Sequence, residues 1–404
     1  MATPRMPLLV AATMGYGHLR AAWALADRLG LEVLEADQPP LAAPAEARSW
    51  ARYRVGYELL SRLSQHDLVG RPFSALLDRL TALAPIAPDA SAPDGASRRL
   101  ARLVERGLGR TLVRRLAVEG QPLLTTFYAP AVAAARHRLA EVYCVVTDTE
   151  VHRVWVPVEP RASRVRYLTP CERTAVRLVA YGVPTADIHL TGFPLPALLT
   201  APDPGGIPRH AAARLVRLGA GGAPACPEPL TVVVAVGGAG AQAGRAVELV
   251  AELAQELASG ALRLVLVAGV RLRLARSFER LAGSAPEGAV EVVAAASFEG
   301  YYRSFNRALL GADVLWTKPS ELVFYGAVGL PLLLDTAVGD HERANARWAL
   351  EAGVALERPP PGSVADTLAR WRVDGALAQA ARAGLERLPR HGAEAIAATL
   401  LERT

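Results

Sequence analysis

Short apolar runs alternate with stretches of helical period along this chain. One series of such runs lies in the first half of the chain and a second series lies in the second half. In the first half, the apolar runs predict strands at 7–13, 31–36, 123–127, 142–147, 165–169 and 188–192. In the second half, they predict strands at 230–238, 262–269, 290–295, 312–317 and 330–335. Because helix-period segments follow these runs, the pattern predicts parallel sheets covered by helices. We therefore expect an α/β fold with two doubly wound domains.

Length and composition agree with two domains. The chain has 404 residues, of which 51% are hydrophobic and 21% charged, so it can bury two cores. Residues 200–229 are rich in proline and glycine, and we expect an irregular linker there. The predicted N-terminal domain is 1–199 with a helical insertion at 40–120. The C-terminal domain is 230–404, with its last helix packing back on the N-terminal domain.

Charge and cysteine content limit the kinds of partner and the cellular compartment that we expect for this protein. The net charge of +6 suggests an anionic partner, and three cysteines without metal-site spacing favour a reducing compartment. The N-terminal apolar segment has no cleavage pattern, and no run of 18 apolar residues follows. We expect a cytoplasmic protein that does not span a membrane.

Lys318 is the only lysine in the chain. It follows the strand predicted at 312–317, and Pro319 and Ser320 then have the pattern of a helix start. A compact ammonium beside a helix N-terminus suits a phosphate group. The alternative is a solvated surface lysine.

Two glycine loops each stand between a predicted strand and a predicted helix. The first contains Gly15, Gly17 and His18. The second contains Gly237, Gly238 and Gly240. Backbone amides in such loops hold phosphates, although glycine after a strand can also form only a tight turn.

Polar side chains follow two other predicted strands. Asp148, Glu150 and His152 come after the strand at 142–147, and Asp340, His341, Glu342 and Asn345 come after the strand at 330–335. Such side chains can bind sugar hydroxyls, and some of them can equally cap a helix.

Seven blocks of this chain, in their order, resemble the GT-B glycosyltransferases. They are GYGHLRAAWALA, VVTDTEVHRVW, LTGFPL, VGGAG, TKPSE, GLPLLL and GDHERAN. The resemblance is closest to monogalactosyldiacylglycerol synthases, diacylglycerol glucosyltransferases and peptidoglycan N-acetylglucosaminyltransferases, in a divergent branch. It covers about half of the chain and implies two Rossmann-like domains with a ligand cleft between them. By resemblance, Gly15, Gly17, His18, Asp148 and His152 face the acceptor. The donor contacts that the resemblance implies are Gly237, Gly238, Gly240, His341, Glu342 and Asn345. Lys318, Ser320 and Glu321 are further donor-site candidates because of their own positions at the predicted helix start.

One position departs from that family. A glutamate that holds the nucleotide ribose is expected seven residues before Pro331, and this chain has Phe324 there. Glu321 lies one helical turn earlier and could substitute for it.

The sequence therefore predicts an inverting, metal-independent hexosyltransferase without a cofactor. It would move a sugar from a nucleotide-diphosphate donor, such as a UDP-sugar, to a lipid or other hydrophobic hydroxyl. His18 is the candidate general base and Asp148 its rival. The alternatives are a nucleotide-sugar-binding protein without catalysis and a UDP-sugar 2-epimerase.

The arginine-rich stretch 98–116 carries six apolar residues on one helical face. It could lie on an anionic membrane, which would place the protein peripherally at the inner face. We favour the alternative, in which the apolar face packs on its own domain. No nucleic-acid-reading motif accompanies the arginines, so nucleic acid is not an expected partner.

Overall fold

The computed structural model describes residues 5–52, 90–139, 141–202, 206–219, 228–235, 243–337 and 339–402. Twelve strands lie in these ranges: β1 Leu8–Ala11, β2 Leu34–Glu35, β3 Leu123–Thr125, β4 Val142–Val145, β5 Val165–Thr169, β6 Ile188–Leu190, β7 Leu230–Ala235, β8 Leu262–Gly269, β9 Val290–Ala294, β10 Val314–Thr317, β11 Leu332–Leu334 and β12 Ala355–Glu357. Every predicted strand is present. The additional strand, β12, lies in an apolar run of only three residues, 354–356, which is too short to be recognised as a strand.

The strands form two six-stranded parallel sheets. The first has the order β2-β1-β3-β4-β5-β6, and the second β12-β11-β10-β7-β8-β9. Counted within its own half, the second order is 3-2-1-4-5-6, which is that of a dinucleotide-binding fold. The predicted α/β class with two doubly wound domains is confirmed.

The strands are joined by helices. The α-helices are α1 Tyr16–Leu29, α2 Gly95–Glu105, α3 Arg110–Glu119, α4 Tyr128–Arg136, α5 Glu172–Ala180, α6 Ala197–Thr200, α7 Arg209–Arg217, α8 Ala243–Glu252, α9 Ala254–Ala258, α10 Leu272–Ser284, α11 Phe298–Gly311, α12 Gly339–Glu351, α13 Val364–Val373, α14 Ala376–Arg387 and α15 Gly392–Leu401. Residues 44–52 are also helical. The 3₁₀ helices are Arg153–Trp155, Pro160–Ala162, Thr185–Asp187 and Glu321–Val328. Among the described helices, none is long and apolar enough to cross a membrane.

The chain divides into two compact units. Unit 1 comprises Met1–Leu195, Val338–Ala344 and His391–Thr404, and unit 2 comprises Pro196–Ala337 and Asn345–Arg390. Within unit 1, α15 packs on α1, and the carbonyl of Phe193 lies so close to Gly392 that a Cβ there would clash with it. Each unit has its own core, built on the apolar sides of its sheet.

The stretch 98–116 is two helices rather than one. Gly107 and Gly109 adopt positive φ angles of 107° and 78° and separate α2 from α3. Glycine takes such angles without a steric cost, so the break occurs here. The apolar side chains of the stretch are buried in the core of unit 1, as in the packing alternative. Residues 53–89 of the predicted insertion lie outside the described residues.

The stretch 200–229 is not wholly irregular. Its residues 209–217 form α7, although prolines and glycines flank it on both sides. The helix forms because Arg214 and Ala211 are fully buried in unit 2, so tertiary packing stabilises it. The prediction of irregular structure is wrong for this segment.

Candidate functional site

His18 lies at the point where the strand order of the first sheet reverses. It sits in the first turn of α1, after β1, and its Nδ1 is 2.8 Å from the carbonyl oxygen of Thr126, after β3. From the parallel neighbours β1 and β3, the strand order continues outward in opposite directions, to β2 on one side and to β4 on the other, and open α/β sheets bind ligands at such a point. The bond between His18 and Thr126 therefore spans the expected binding position of unit 1.

This contact determines which ring nitrogen of His18 carries the proton. A carbonyl oxygen can only accept, so Nδ1 must be the donor. The hydroxyl of Thr147 is also 3.1 Å from Nδ1, and the backbone carbonyl of His18 accepts a 2.9 Å bond from the hydroxyl of Thr126. In the neutral ring, Nε2 is thus the nitrogen able to take up a proton. Phe127 and Trp155 lie against the ring, with centroids at 4.8 and 6.1 Å.

The glycine loop in front of His18 exposes the start of a helix. Gly15 precedes α1 with φ 145° and ψ 159°, a conformation available essentially only to glycine, and no atom lies within 4 Å of where a Cβ would stand. No side chain caps the helix, and its first turn has no acidic residue. Asp37 fixes the loop by accepting bonds from the amide and hydroxyl of Thr13. Such an uncapped helix start attracts anions and polarised oxygens.

The segment after β4 brings Asp148 to the same edge of the sheet. Its backbone carbonyl accepts a 3.1 Å bond from the hydroxyl of Thr174, which also bonds the carbonyl of Thr149 at 3.0 Å. The next side chain, Glu150, is buried and forms a 2.6 Å ion pair with Arg177. These bonds hold the segment in a fixed conformation beside His18, to which it is linked through Thr147.

His152 and His341 lie together, although 189 positions separate them in the sequence. Both belong to unit 1, and their ring centroids are 6.4 Å apart. Burial, followed by the nearby charge of His341, lowers the pKa of His152 to about 4, against the opposing influence of Asp340 and Asp94. His152 is therefore neutral near pH 7 and can act as a hydrogen-bonding group.

In unit 2, Lys318 occupies the corresponding reversal point. It follows β10, whose last residue, Thr317, is the register partner of Ala235 at the end of β7. The second glycine loop, with Gly237, Gly238 and Gly240, starts just after Ala235 but lies outside the described residues. Lys318 is thus at the carboxyl end of the strand next to the one that leads into this loop.

The turn after Lys318 is fixed from two sides. Ser320 caps the 3₁₀ helix by accepting a 3.5 Å bond from the amide of Leu322. Asn345, fully buried in α12, donates a 3.3 Å bond from Nδ2 to the carbonyl of Pro319. Its amide group therefore holds the backbone beside Lys318 in place. Glu342, one turn earlier in α12, is also buried.

Phe324, which stands where the GT-B family that the sequence resembles has a glutamate, is part of the core of unit 2. Phe324 is buried and packs on Trp348, with ring centroids 5.1 Å apart. Glu321 is also buried, at the first position of the same helix. The aromatic side chain therefore serves packing, and Glu321 is the carboxylate of this helix.

Sequence reasoning missed Thr126, Thr147 and Arg214. The two threonines bond His18, but a threonine at a strand end is too common to signal such a contact. Arg214 binds four carbonyl oxygens in unit 2, and one buried arginine in an arginine-rich chain has no distinguishing sequence signal. Within the described residues, no group of three or more His, Cys, Asp or Glu side chains could hold a metal ion.

No protein-family model and no curated protein sequence matches this chain. Solved structures do match it. MurG of Acinetobacter baumannii is similar at 13% identity and a TM-score of 0.52, covering 98% of this chain and 99% of that one. A UDP-GlcNAc 2-epimerase from Neisseria meningitidis, bound to UDP-GlcNAc, is similar at 12% identity and 0.52, with the same coverage. Arabidopsis thaliana UGT89C1, complexed with UDP, is similar at 13% and 0.51, covering 98% of each chain. What these matches share with the chain is the fold.

Proposed function

We propose that this chain, which has the GT-B fold, transfers a sugar from a nucleotide-diphosphate donor, with a UDP-sugar as the first candidate. The acceptor would be the hydroxyl of a lipid or another hydrophobic molecule. Support for a nucleotide sugar comes from solved structures of the same fold that contain UDP or UDP-GlcNAc. Support for a hydroxyl acceptor comes from His18, whose Nδ1 is held by the carbonyl of Thr126 so that Nε2 can take up the proton of a hydroxyl.

The proposed reaction is a single displacement with inversion. Nε2 of His18 accepts the proton of the acceptor hydroxyl while the hydroxyl oxygen bonds to the anomeric carbon of the sugar. The bond from that carbon to the phosphate oxygen breaks, and the nucleoside diphosphate leaves with the electron pair. Lys318 and the amides of the glycine loop at 237–240 would stabilise the charge on the leaving diphosphate. Metal independence remains part of the proposal.

The single observation that carries the proposal is the bond from His18 to the carbonyl of Thr126. It puts the proton on Nδ1 and so reserves Nε2 for proton uptake, as general-base catalysis requires. Asp148 remains the rival base because it belongs to the segment held beside His18. Its carboxylate would serve instead if the imidazole only bound the acceptor.

The test separates these roles by substitution. UDP release is measured with a panel of UDP-sugars and lipid or aromatic alcohols, for the unaltered protein, His18→Asn and Asp148→Asn. Asparagine can still donate to the carbonyl of Thr126 but has no basic nitrogen. We expect His18→Asn to bind UDP normally and to lose about 10²- to 10⁴-fold in kcat. Full activity of His18→Asn together with loss in Asp148→Asn would transfer the role of base to Asp148.

The same assay distinguishes the alternatives. UDP binding without turnover on any donor and acceptor would support a binding protein. If NMR shows inversion at C2 of UDP-GlcNAc in the absence of an acceptor, the result would support a 2-epimerase. Either result would exclude the proposed transfer.

A further inference from the structure

Unit 1 contains a groove lined with arginines at the amino-terminal edge of its sheet. Its volume is about 790 Å³, and its walls are α2, α4 and the segment from Pro157 to Arg164. Six arginines and two glutamates line it, and the arginines are Arg98, Arg102, Arg136, Arg138, Arg161 and Arg164. His18 lies at the carboxyl edge of the same sheet, so the groove is separate from the candidate site described above.

Most of this positive charge is not neutralised within the protein. Arg136 pairs with Glu105 at 3.0 Å, and the guanidinium of Arg98 donates to the carbonyl of Pro93. The other four arginine side chains have no hydrogen bond or ion pair with any residue in the described part of the chain. Unpaired guanidinium groups converging on one groove offer forked donors to phosphate oxygens.

Two of these four arginines are held in an unfavourable backbone conformation. Arg138 and Arg164 have φ angles of 55° and 54°, and they are the only non-glycine residues with positive φ among those described. Each stands at the position after a helix end that glycine usually occupies, Arg138 after α4 and Arg164 after the helix Pro160–Ala162. Arginine there costs about 1 kcal/mol relative to glycine.

Their placement puts both side chains at one location. Arg138 comes shortly before β4 and Arg164 directly before β5, and these two strands are neighbours in the sheet. The positive φ ends a helix at both positions, and glycine would adopt it without the cost. The fold therefore accounts for the backbone conformation but does not require an arginine side chain at either of these two adjacent points.

We propose that this groove is a second anion site, which binds the phosphate group of a phosphorylated ligand. Arg102, Arg138, Arg161 and Arg164 supply the guanidinium groups that bind the phosphate oxygens. Its apolar floor, which includes Val132 and Leu139, accommodates the organic part of the ligand. The site acts independently of UDP binding, so it exists whether or not the proposed sugar transfer is correct.

The test uses the full chain and the substitution Arg138→Gly with Arg164→Gly. Inorganic pyrophosphate binding is measured by calorimetry in the presence of saturating UDP, which occupies the proposed donor site, and Tm is measured alongside. Glycine relieves the positive φ, so we expect an unchanged or raised Tm together with at least tenfold weaker pyrophosphate binding at this site. The matched control is Arg99→Gln with Arg106→Gln, which removes one exposed charge from α2 and one from the residue that follows it, both outside the groove, and should leave binding unchanged.

Two further measurements complete the test. Co-sedimentation with phosphatidylglycerol vesicles determines whether the phosphate belongs to a lipid headgroup or to a free ligand. Loss of either vesicle binding or pyrophosphate binding in the glycine variant supports the site. UDP affinity should be equal in both double variants. Pyrophosphate and vesicle binding that are absent, or that fall equally in the control, would overturn the proposal. A lowered Tm with unchanged binding would assign both arginines to the fold and overturn it as well.

Discussion

Arg214 makes the most testable contribution to the stability of unit 2. Its Nε bonds the carbonyl of Ala312 at 2.6 Å and its Nη2 that of Leu309 at 2.9 Å. Its Nη1 bonds the carbonyls of Val328 and Gly329 at 2.9 and 3.0 Å. The fully buried guanidinium thereby joins the end of α11, the start of the Lys318 strand and the end of the 3₁₀ helix. Burial lowers its pKa to about 9, so it is charged at pH 7.

The perturbation is Arg214→Met, which keeps the apolar stem and removes every donor. Four bonds from a charged donor, at about 1.5 kcal/mol each, would give about 6 kcal/mol. Removing the buried charge relieves a desolvation penalty and offsets part of that loss. We therefore expect the free energy of unfolding of unit 2 to fall by about 3–5 kcal/mol, as for other broken buried networks.

The assay is urea unfolding followed by tryptophan fluorescence and circular dichroism. With a slope of about 2 kcal/mol per molar urea, the expected loss lowers the midpoint of the unit 2 transition by about 1.5–2.5 M. The matched control is Arg347→Met, an exposed arginine of α12 in the same unit, with an expected change within about 0.5 kcal/mol. Arg214→Lys should lie between the two, because an ammonium cannot reproduce the fork. If Arg214→Met unfolded at the same urea concentration as the control, the four bonds would not contribute to stability as argued.

Four other predictions can be checked with standard assays. Replacing Lys318 with Ala should lower kcat for UDP release by about 10²- to 10³-fold, and an unchanged kcat would remove the amine from the mechanism. EDTA should leave initial rates unchanged, whereas inhibition reversed by Mg²⁺ would show metal dependence. His152 is half-buried and lies beside His341, and it stays neutral in the folded protein between pH 6.5 and about 4, whereas the unfolded chain takes up a proton in that range. The folded protein therefore loses stability as the pH falls below 6.5. Urea titrations at pH 7 and 5 should therefore show a smaller acid-induced loss for His152→Asn, and an equal loss would contradict the assignment. Gly15→Ala should cost about 1–3 kcal/mol in thermal unfolding and Gly95→Ala almost nothing, because only Gly15 has a glycine-only backbone conformation; equal effects would refute this reason.

The fold could be predicted from the sequence because strands and helices each have a characteristic hydrophobic period. Buried parallel strands are nearly continuous apolar runs, and the runs at 165–169 and 262–269 match β5 and β8 to the residue. Where tertiary packing overrides local composition, the sequence misled, as at α7 between proline- and glycine-rich segments. The sequence did not predict β12 because its apolar run covers only residues 354–356.

The candidate site shows the same division. The sequence identified His18, Asp148 and Lys318 because strand ends and glycine loops are visible in the order of residues. Their function in the site remains a proposal. The bond that fixes the proton of His18 comes from the carbonyl of Thr126, and a backbone carbonyl leaves no mark on side-chain identity.

The sequence by itself determined the alternation of strands and helices, and with it two doubly wound parallel sheets. It also determined which polar residues follow strand ends. Only the tertiary structure decided that Thr126 orients His18, that His341 lies beside His152, and that Arg138 and Arg164 come together. The physical reason is that strand and helix periods are local, set by burial of every second or every third to fourth residue. The bond of His18 and the placement of Arg138 and Arg164 depend instead on strand order, which brings residues distant in sequence to the same edge of a sheet. The contact between His152 and His341 depends on the segment Val338–Ala344, which belongs to unit 1 although it follows a strand of the second sheet.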